Sequence, residues 1–217
     1  MKVEVFRVSG QGIKNQCYLI HNDHSGILID PAWDYELISH FLTNNHIALT
    51  GVLLTHSHHD HTDLAETFAE YYGVPVYMSA IEIRQYDFKC PNLIAIQHLQ
   101  EVMVGNFSVT ALLTPGHTKG SVCYLIDGNC FTGDTIFIEG VGICDQNGIN
   151  ALYDSVQFIK QYLPQQTLIW PGHSFGEIPG QELGFLLHNN IYFLLNRRDA
   201  FTDFRMRKNK PDPFSFK

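Results

Sequence analysis

Thr55-His56-Ser57-His58-His59-Asp60-His61 follows directly on the apolar run Gly51-Val52-Leu53-Leu54 and brings His56, His58, Asp60 and His61 into six consecutive positions. Zinc-class cations take neutral imidazole nitrogen and carboxylate oxygen as ligands. His56 and His58 stand two apart at an extended strand end, so they point the same way and can chelate one ion together. Asp60 and His61 come next, as the chain turns toward a helix expected to open over Thr62-Asp63-Leu64-Ala65-Glu66-Thr67-Phe68. That turn aims them at a neighbouring position, and the spacing predicts two metals.

A catalytic zinc holds three protein ligands and keeps a position open for water, so further ligands are expected in similar turns elsewhere. Three turns qualify, each with one ligand-type residue beside a glycine after an apolar run. Thr114-Pro115-Gly116-His117-Thr118 follows Phe107 to Leu113. Phe131-Thr132-Gly133-Asp134-Thr135 follows Val122 to Ile126. Trp170-Pro171-Gly172-His173-Ser174 follows Thr167 to Ile169.

With these motifs in order the chain resembles the metallo-β-lactamase superfamily, whose His-x-His-x-Asp-His signature is matched by His56, His58, Asp60 and His61, over roughly residues 3–195. The resemblance implies an αββα sandwich with the metals at one edge. It also implies that His56, His58 and His117 hold a first ion, that Asp60, His61 and His173 hold a second, and that Asp134 bridges them. Zinc, two per chain, is the expected metal, and iron or manganese suits the same donors. His59 occupies the variable position of the signature and is read as a solvent-facing histidine; His21, His24, His40, His46, His98 and His188 have no motif around them.

Composition fits one ordinary globular unit: 217 residues with 45% hydrophobic content can bury a full core, and a single metallo-hydrolase domain over 1–217 is expected. Cys17, Cys90, Cys123, Cys130 and Cys144 form no Cys-x-x-Cys pair and no leader precedes Val3, which points to a reducing cytoplasm. No apolar run reaches the roughly 20 residues that cross a bilayer, so no membrane partner is expected. With 14 basic against 22 acidic residues, net −8, a nucleic acid would be repelled on average.

Apolar runs at Val3 to Val8, Cys17 to Ile20, Gly26 to Ile29 and Gly51 to Leu54 read as strands. Asp34 to Thr43 reads as a helix with Leu37, Ile38, Phe41 and Leu42 on one face. Leu64 to Tyr72 and Ile149 to Leu163 read likewise, the latter through Leu152, Val156, Ile159 and Leu163. Strands mixed with helices make a layered α/β domain.

Within the superfamily the presence of Asp134 disfavours antibiotic hydrolysis, and His58 argues against an oxygen-reducing diiron role. The Thr114 to Thr118 and Phe131 to Thr135 segments resemble the glyoxalase II-like branch, which cleaves thioesters. The end of the chain, from His188 to Lys210, resembles the small zinc-dependent hydrolases encoded with bacterial trans-acyltransferase polyketide synthases. That resemblance implies hydrolysis of acyl groups on an acyl carrier protein by a metal-activated water, with Asp60 and Asp134 as the catalytic carboxylates. The rival readings are a hydroxyacylglutathione hydrolase, a mononuclear-iron persulfide dioxygenase, a lactonase or phosphodiesterase, and a non-catalytic carrier-binding module.

Seven of the 14 basic residues, Arg197, Arg198, Arg205, Arg207, Lys208, Lys210 and Lys217, fall in a tail at about 197–217. Such a tail could steer an acidic carrier or pair with a phosphopantetheine phosphate, Arg205 and Arg207 being the candidates; the alternative is a solvated tail. Ser121 and Lys119 beside His117 read as turn formers as readily as substrate contacts, and Asn189 and Tyr192 as helix residues, an aromatic there being usually core. In the Gly140 to Asp145 loop, Ile143 or Cys144 stands where related enzymes often carry Arg.

Overall fold

Alternating apolar residues in β1 (Lys2–Gly10) and continuous apolar runs in β2 (Ile13–His21) and β3 (Ser25–Ile29), separated by short polar turns, build the first three strands. Gly10 faces Ile13 across a two-residue turn in which Gln11 and Gly12 both take positive φ, the conformation that matches strand twist in tight hairpins. The computed structural model describes residues 1–208. Helix α1 (Tyr35–Asn44), capped by the Asp34 carboxylate on Leu37 N at 2.9 Å, returns the chain to β4 (Ala48–Leu53) parallel to β3. The single turn α2 (His59–Thr62) and helix α3 (Ala65–Tyr72) lead to β5 (Val76–Ser79), α4 (Ala80–Tyr86) and β6 (Leu93–Ile96). These strands form a six-stranded sheet in sequential order.

The second sheet starts with an antiparallel meander, β7 (Glu101–Val104), β8 (Phe107–Leu113), β9 (Val122–Ile126) and β10 (Asn129–Gly133). Helix α5 (Ile149–Tyr162) crosses over to β11 (Leu168–Pro171), parallel to β10, and β12 (Gln181–Glu182) closes the edge. Helices α6 (Leu183–Asn189), α7 (Ile191–Leu194) and α8 (Arg198–Met206) follow.

Period-2 strands feed two cores at once, and this fixes the layers. Along β2, Cys17 and Leu19 join the core under α1 and α3, with Ile38, Leu42 and Phe68, while Tyr18 and Ile20 face the other sheet. Along β9 and β10, Tyr124 and Phe131 face inward to meet them, while Cys123 and Cys130 pack under α5 with Leu152, Val156 and Ile159. The layers run helix, sheet, sheet, helix, so the αββα sandwich expected from the sequence is present. Each fully buried Leu, Ile or Phe in these cores contributes about 1.5–3 kcal/mol.

Several local expectations need correction. Leu37 is 43% exposed, because the buried stripe of α1 runs through Ile38, Ser39 and Leu42 and leaves Leu37 at its edge. The helix expected to open at Thr62 is split, with Asp60 and His61 inside the separate turn α2. Phe131 to Gly133 and Trp170 to Pro171 are strand rather than turn, paired with each other through a register shift at Gly133. The described part of the basic tail is only partly solvated: Arg197, Arg198 and Lys208 are exposed, but α8 docks on α5, with Phe201 fully buried and Phe204 and Met206 packed beside it. Asn209, Lys210 and Lys217 lie outside the described residues. Among the described residues no helix is long and apolar enough to cross a membrane.

Candidate metal centre

Every residue of the seven-ligand set leaves the C-terminal end of a strand, or the turn after it, at one edge of the sandwich: β4 for His56 to His61, β8 for His117, β10 for Asp134 and β11 for His173. Two glycines let these ends meet. Gly133 takes φ 48°, a left-handed conformation that a side chain resists. A Cβ on Gly172 would come within 2.5 Å of the His61 ring and 2.7 Å of Asp134 Oδ1.

The first cluster joins His56, His58 and His117. His58 Nδ1 lies 3.0 Å from both His56 Nε2 and His117 Nε2. Backbone and hydroxyl partners set the proton positions. His117 Nδ1 is 2.7 Å from Ile143 O, an acceptor, so this nitrogen carries the hydrogen. Thr55 Oγ1 donates to Asp30 Oδ2 at 2.6 Å and therefore accepts from His56 Nδ1 at 3.0 Å. Both Nε2 atoms thus present bare lone pairs to His58 Nδ1, and a single N–H can satisfy only one of them. Three nitrogens converge where a cation fits.

The second cluster joins Asp60, His61 and His173. His61 donates from Nδ1 to Asp30 Oδ2 at 2.8 Å, and His173 from Nδ1 to Lys14 O at 2.7 Å, leaving the Nε2 atoms to face carboxylates. His61 Nε2 lies 3.4 Å from Asp134 Oδ1 and 3.6 Å from Asp60 Oδ2; His173 Nε2 lies 3.3 Å from Asp60 Oδ2 and 3.4 Å from Asp134 Oδ2. Asp134 Oδ2 also reaches to within 3.6 Å of His117 Nε2, so this carboxylate touches both clusters. His61 Nε2 and Asp134 Oδ1 are buried without a hydrogen-bond partner. Imidazole nitrogens and carboxylate oxygens that converge in a buried place, two of them without a partner, fit a metal ion, and these donors suit zinc, iron or manganese.

Without an ion the two clusters differ in charge. Burial holds His56 well below the usual imidazole range and lowers His58, the neighbouring imidazoles adding to the effect. Burial also opposes protonation of His61 and His173, but there the carboxylates win: His61 is raised by Asp134 and Asp30, and His173 is pushed up to about 11 by Asp134, Asp60 and Lys14 O. Burial likewise opposes ionisation of Asp134, yet His173 and His61 hold its carboxyl well below the usual range.

Residues 12–173 match the family described as the metallo-beta-lactamase superfamily. The chain belongs to the metallo-beta-lactamase superfamily. Among curated relatives, the superfamily member named "Probable polyketide biosynthesis zinc-dependent hydrolase BaeB" of Bacillus velezensis is 45% identical over 94% of this chain and 92% of its own length. The similarly named PksB of Bacillus subtilis is 41% identical over 100% and 98%. A hydroxyacylglutathione hydrolase of Methylobacillus flagellatus is 31% identical over 86% and 72%. Among solved structures, ETHE1 from Myxococcus xanthus superposes with a TM-score of 0.83 at 30% identity, covering 98% of this chain and 93% of that one. A metallo-beta-lactamase from Staphylococcus aureus superposes at 0.87 with 25% identity, over 98% and 69%.

Two buried carboxylates of this superfamily member escaped the sequence reading. Asp30, just past β3, accepts from Thr55 N at 2.7 Å, Thr55 Oγ1 and His61 Nδ1, and so orients one ring in each cluster. Glu82, in α4, binds the two loops that carry the first cluster. His59 lies outside both clusters, edge-on to Trp33 and 3.3 Å from Asp63. Ser121 is buried, its hydroxyl 2.6 Å from that of Thr118, and Lys119 N lies 3.4 Å from the Tyr86 hydroxyl. Tyr192 packs against Phe201 and Phe204, and Asn189 bonds back to Phe185 O. Cys144 is buried in the core under α5, while Ile143 is exposed and turns its carbonyl to His117.

Arg205 is a correction. It is buried, with Nε and Nη2 both donating to Gly142 O at 3.1 and 3.0 Å, and cannot meet a carrier's phosphate. Arg198 pairs with Asp154, Arg197 with Asp199, and the Arg207 guanidinium lies over the Phe204 ring.

Proposed function

We propose that this chain is a metal-dependent hydrolase of acyl thioesters, acting on acyl groups held by an acyl carrier protein in polyketide biosynthesis. His56, His58 and His117 would hold one zinc, Asp60, His61 and His173 a second, with Asp134 shared. The observation that carries this reading is the pair of adjacent clusters, joined by Asp134, in which imidazole nitrogens and carboxylate oxygens converge at one edge. Support for the polyketide setting comes from the 41–45% identity to relatives named for it.

Bound zinc supplies a water acidified to a pKa near 7 and a Lewis acid for the carbonyl oxygen. The protein's own part is positional. Asp134 reaches both clusters and would offset the charge of the ions held there, and Asp60, held through its carbonyl by Asn15 Nδ2 at 2.5 Å, would orient a water with its carboxylate. Ile143 O and Lys14 O accept from Nδ1 of His117 and His173 and so aim the Nε2 atoms inward. His58 is exposed, so the first cluster opens to solvent on the side where a tethered thioester can enter.

The 31% identity to a hydroxyacylglutathione hydrolase favours a second reading, with glutathione as the thiol. One comparison separates the two: zinc-loaded protein given an acyl-acyl carrier protein and the matching acyl-glutathione at equal concentration. Faster turnover of the carrier substrate is expected. Preference for glutathione would replace the first reading with the second, and failure to hydrolyse either would overturn both.

A further inference from the structure

Glu82 is fully buried, yet its carboxylate takes no part in either ligand cluster. Its surroundings explain why it is there. Oε1 accepts from Ser57 N at 2.9 Å and Ser57 Oγ at 2.7 Å; Oε2 accepts from Thr118 Oγ1 at 2.8 Å and Gly120 N at 2.9 Å. Ser57 sits between His56 and His58, and Thr118 directly follows His117. One side chain therefore ties together the two loops that carry all three imidazoles of the first cluster, loops about 60 positions apart in the chain.

The local sequence makes this placement unusual. Ser79-Ala80-Ile81-Glu82 has the form of a capping box, in which the glutamate would reach back to the backbone N–H of the serine. Half of that box forms, since Ser79 Oγ accepts from Glu82 N at 3.0 Å. The other half is diverted, for Glu82 points across to Ser57, Thr118 and Gly120, and Ser79 Oγ donates to Gly120 O at 2.5 Å. A buried carboxylate turned from its local use to clasp two distant ligand loops is placed for those loops.

We propose that Glu82 is a positioning residue for the first metal site, setting the separation of the His56–His58 and His117 loops at which three imidazole nitrogens meet. The inference rests on the reading of these histidines as metal ligands. Each carboxylate oxygen accepts one backbone N–H that cannot rotate away. In Glu82→Gln, whichever way the amide flips, its NH2 faces one of those donors, and the two loops are forced apart.

The test is zinc titration of metal-free wild type and Glu82→Gln against a chelator, together with 1H–15N spectra of the imidazole rings. Wild type is expected to bind two ions; if it binds none, the ligand reading itself fails and not this inference. In Glu82→Gln the affinity for one ion should drop about 10–100-fold while the other holds. The signal of the His117 Nδ1–H bonded to Ile143 O should shift, and that of the His173 Nδ1–H bonded to Lys14 O should stay in place. A merely structural role would weaken both ions equally and move both signals. Thr118→Val, which removes one of the four donors together with the Thr118–Ser121 hydroxyl bond and leaves the carboxylate in place, serves if Glu82→Gln does not fold, and should weaken the same ion several-fold. Unchanged affinity for both ions in a folded variant, or equal loss of both, overturns the proposal.

Discussion

The two ligand clusters share Asp134 and lie within a few ångströms of each other, but they are built on opposite electrostatic plans. In the cluster of His56, His58 and His117, burial and mutual imidazole repulsion lower His56 and His58, and a single His58 N–H can bond only one of the two nitrogens facing it. The framework must hold the rings together, through Thr55, Ile143 O and Glu82. In the cluster of Asp60, His61 and His173, carboxylates raise both imidazoles, and the metal-free site is already an ion-pair network. Binding an ion therefore asks different things of the two: the first needs geometry held from outside, the second must give up protons.

The largest effect expected is from Asp134→Ala, which removes the one side chain common to both. Both ions should be lost and thioester hydrolysis with them, as metal analysis beside a turnover assay will read; a variant that keeps its metal and its activity breaks the account of a shared carboxylate. Asp30→Asn comes next. Because Asp30 receives His61 directly and His56 through Thr55, affinity should fall about 10–100-fold for both ions, in contrast to the one-sided loss expected when Glu82 is changed. Loss confined to one ion would separate Asp30 from one of the clusters.

A smaller change is expected from Arg205→Ala. It leaves Gly142 O without its donor beside the peptide that orients His117, and should cost about 1–3 kcal/mol in unfolding free energy. The salt dependence of carrier turnover should not change, because the guanidinium is buried and out of a partner's reach. A weakened salt dependence with full stability would restore the steering role first read from the tail's charge.

The convergence of the seven candidate ligands at one edge was legible because each sits in a short motif at a strand end, and the family resemblance supplied their grouping. The mixed strands and helices pointed only to a layered α/β domain, and the sandwich came from the family resemblance; the continuous apolar runs of β2 and β9, buried on both faces, carry the two cores but do not by periodicity announce them. Asp30 and Glu82 were not legible, since their partners lie 25 to 38 positions away and only the folded chain brings them together. The basic tail misled because charge was read and periodicity was not. Phe201, Phe204 and Arg205 fall on one face at helical spacing, which turns α8 inward and takes Arg205 with it.

Acidity supplies the finest distinction. A raised His173 stabilises the metal-free protein fully below the ordinary imidazole value, and this contribution is lost as pH rises through about 11. Protons therefore compete for the second site across the neutral range, and its affinity for zinc should climb with pH. The depressed His56 and His58 are already unprotonated there, so the first site should respond weakly.

Calorimetric titration of the metal-free protein with zinc near pH 7.5, in two buffers of different ionisation enthalpy, tests this asymmetry most directly. Two ions per chain are expected, one binding with little proton exchange and the other releasing at least the proton of His173. A single ion per chain, or two ions with the same proton release, would contradict a centre made of two unlike sites joined by Asp134.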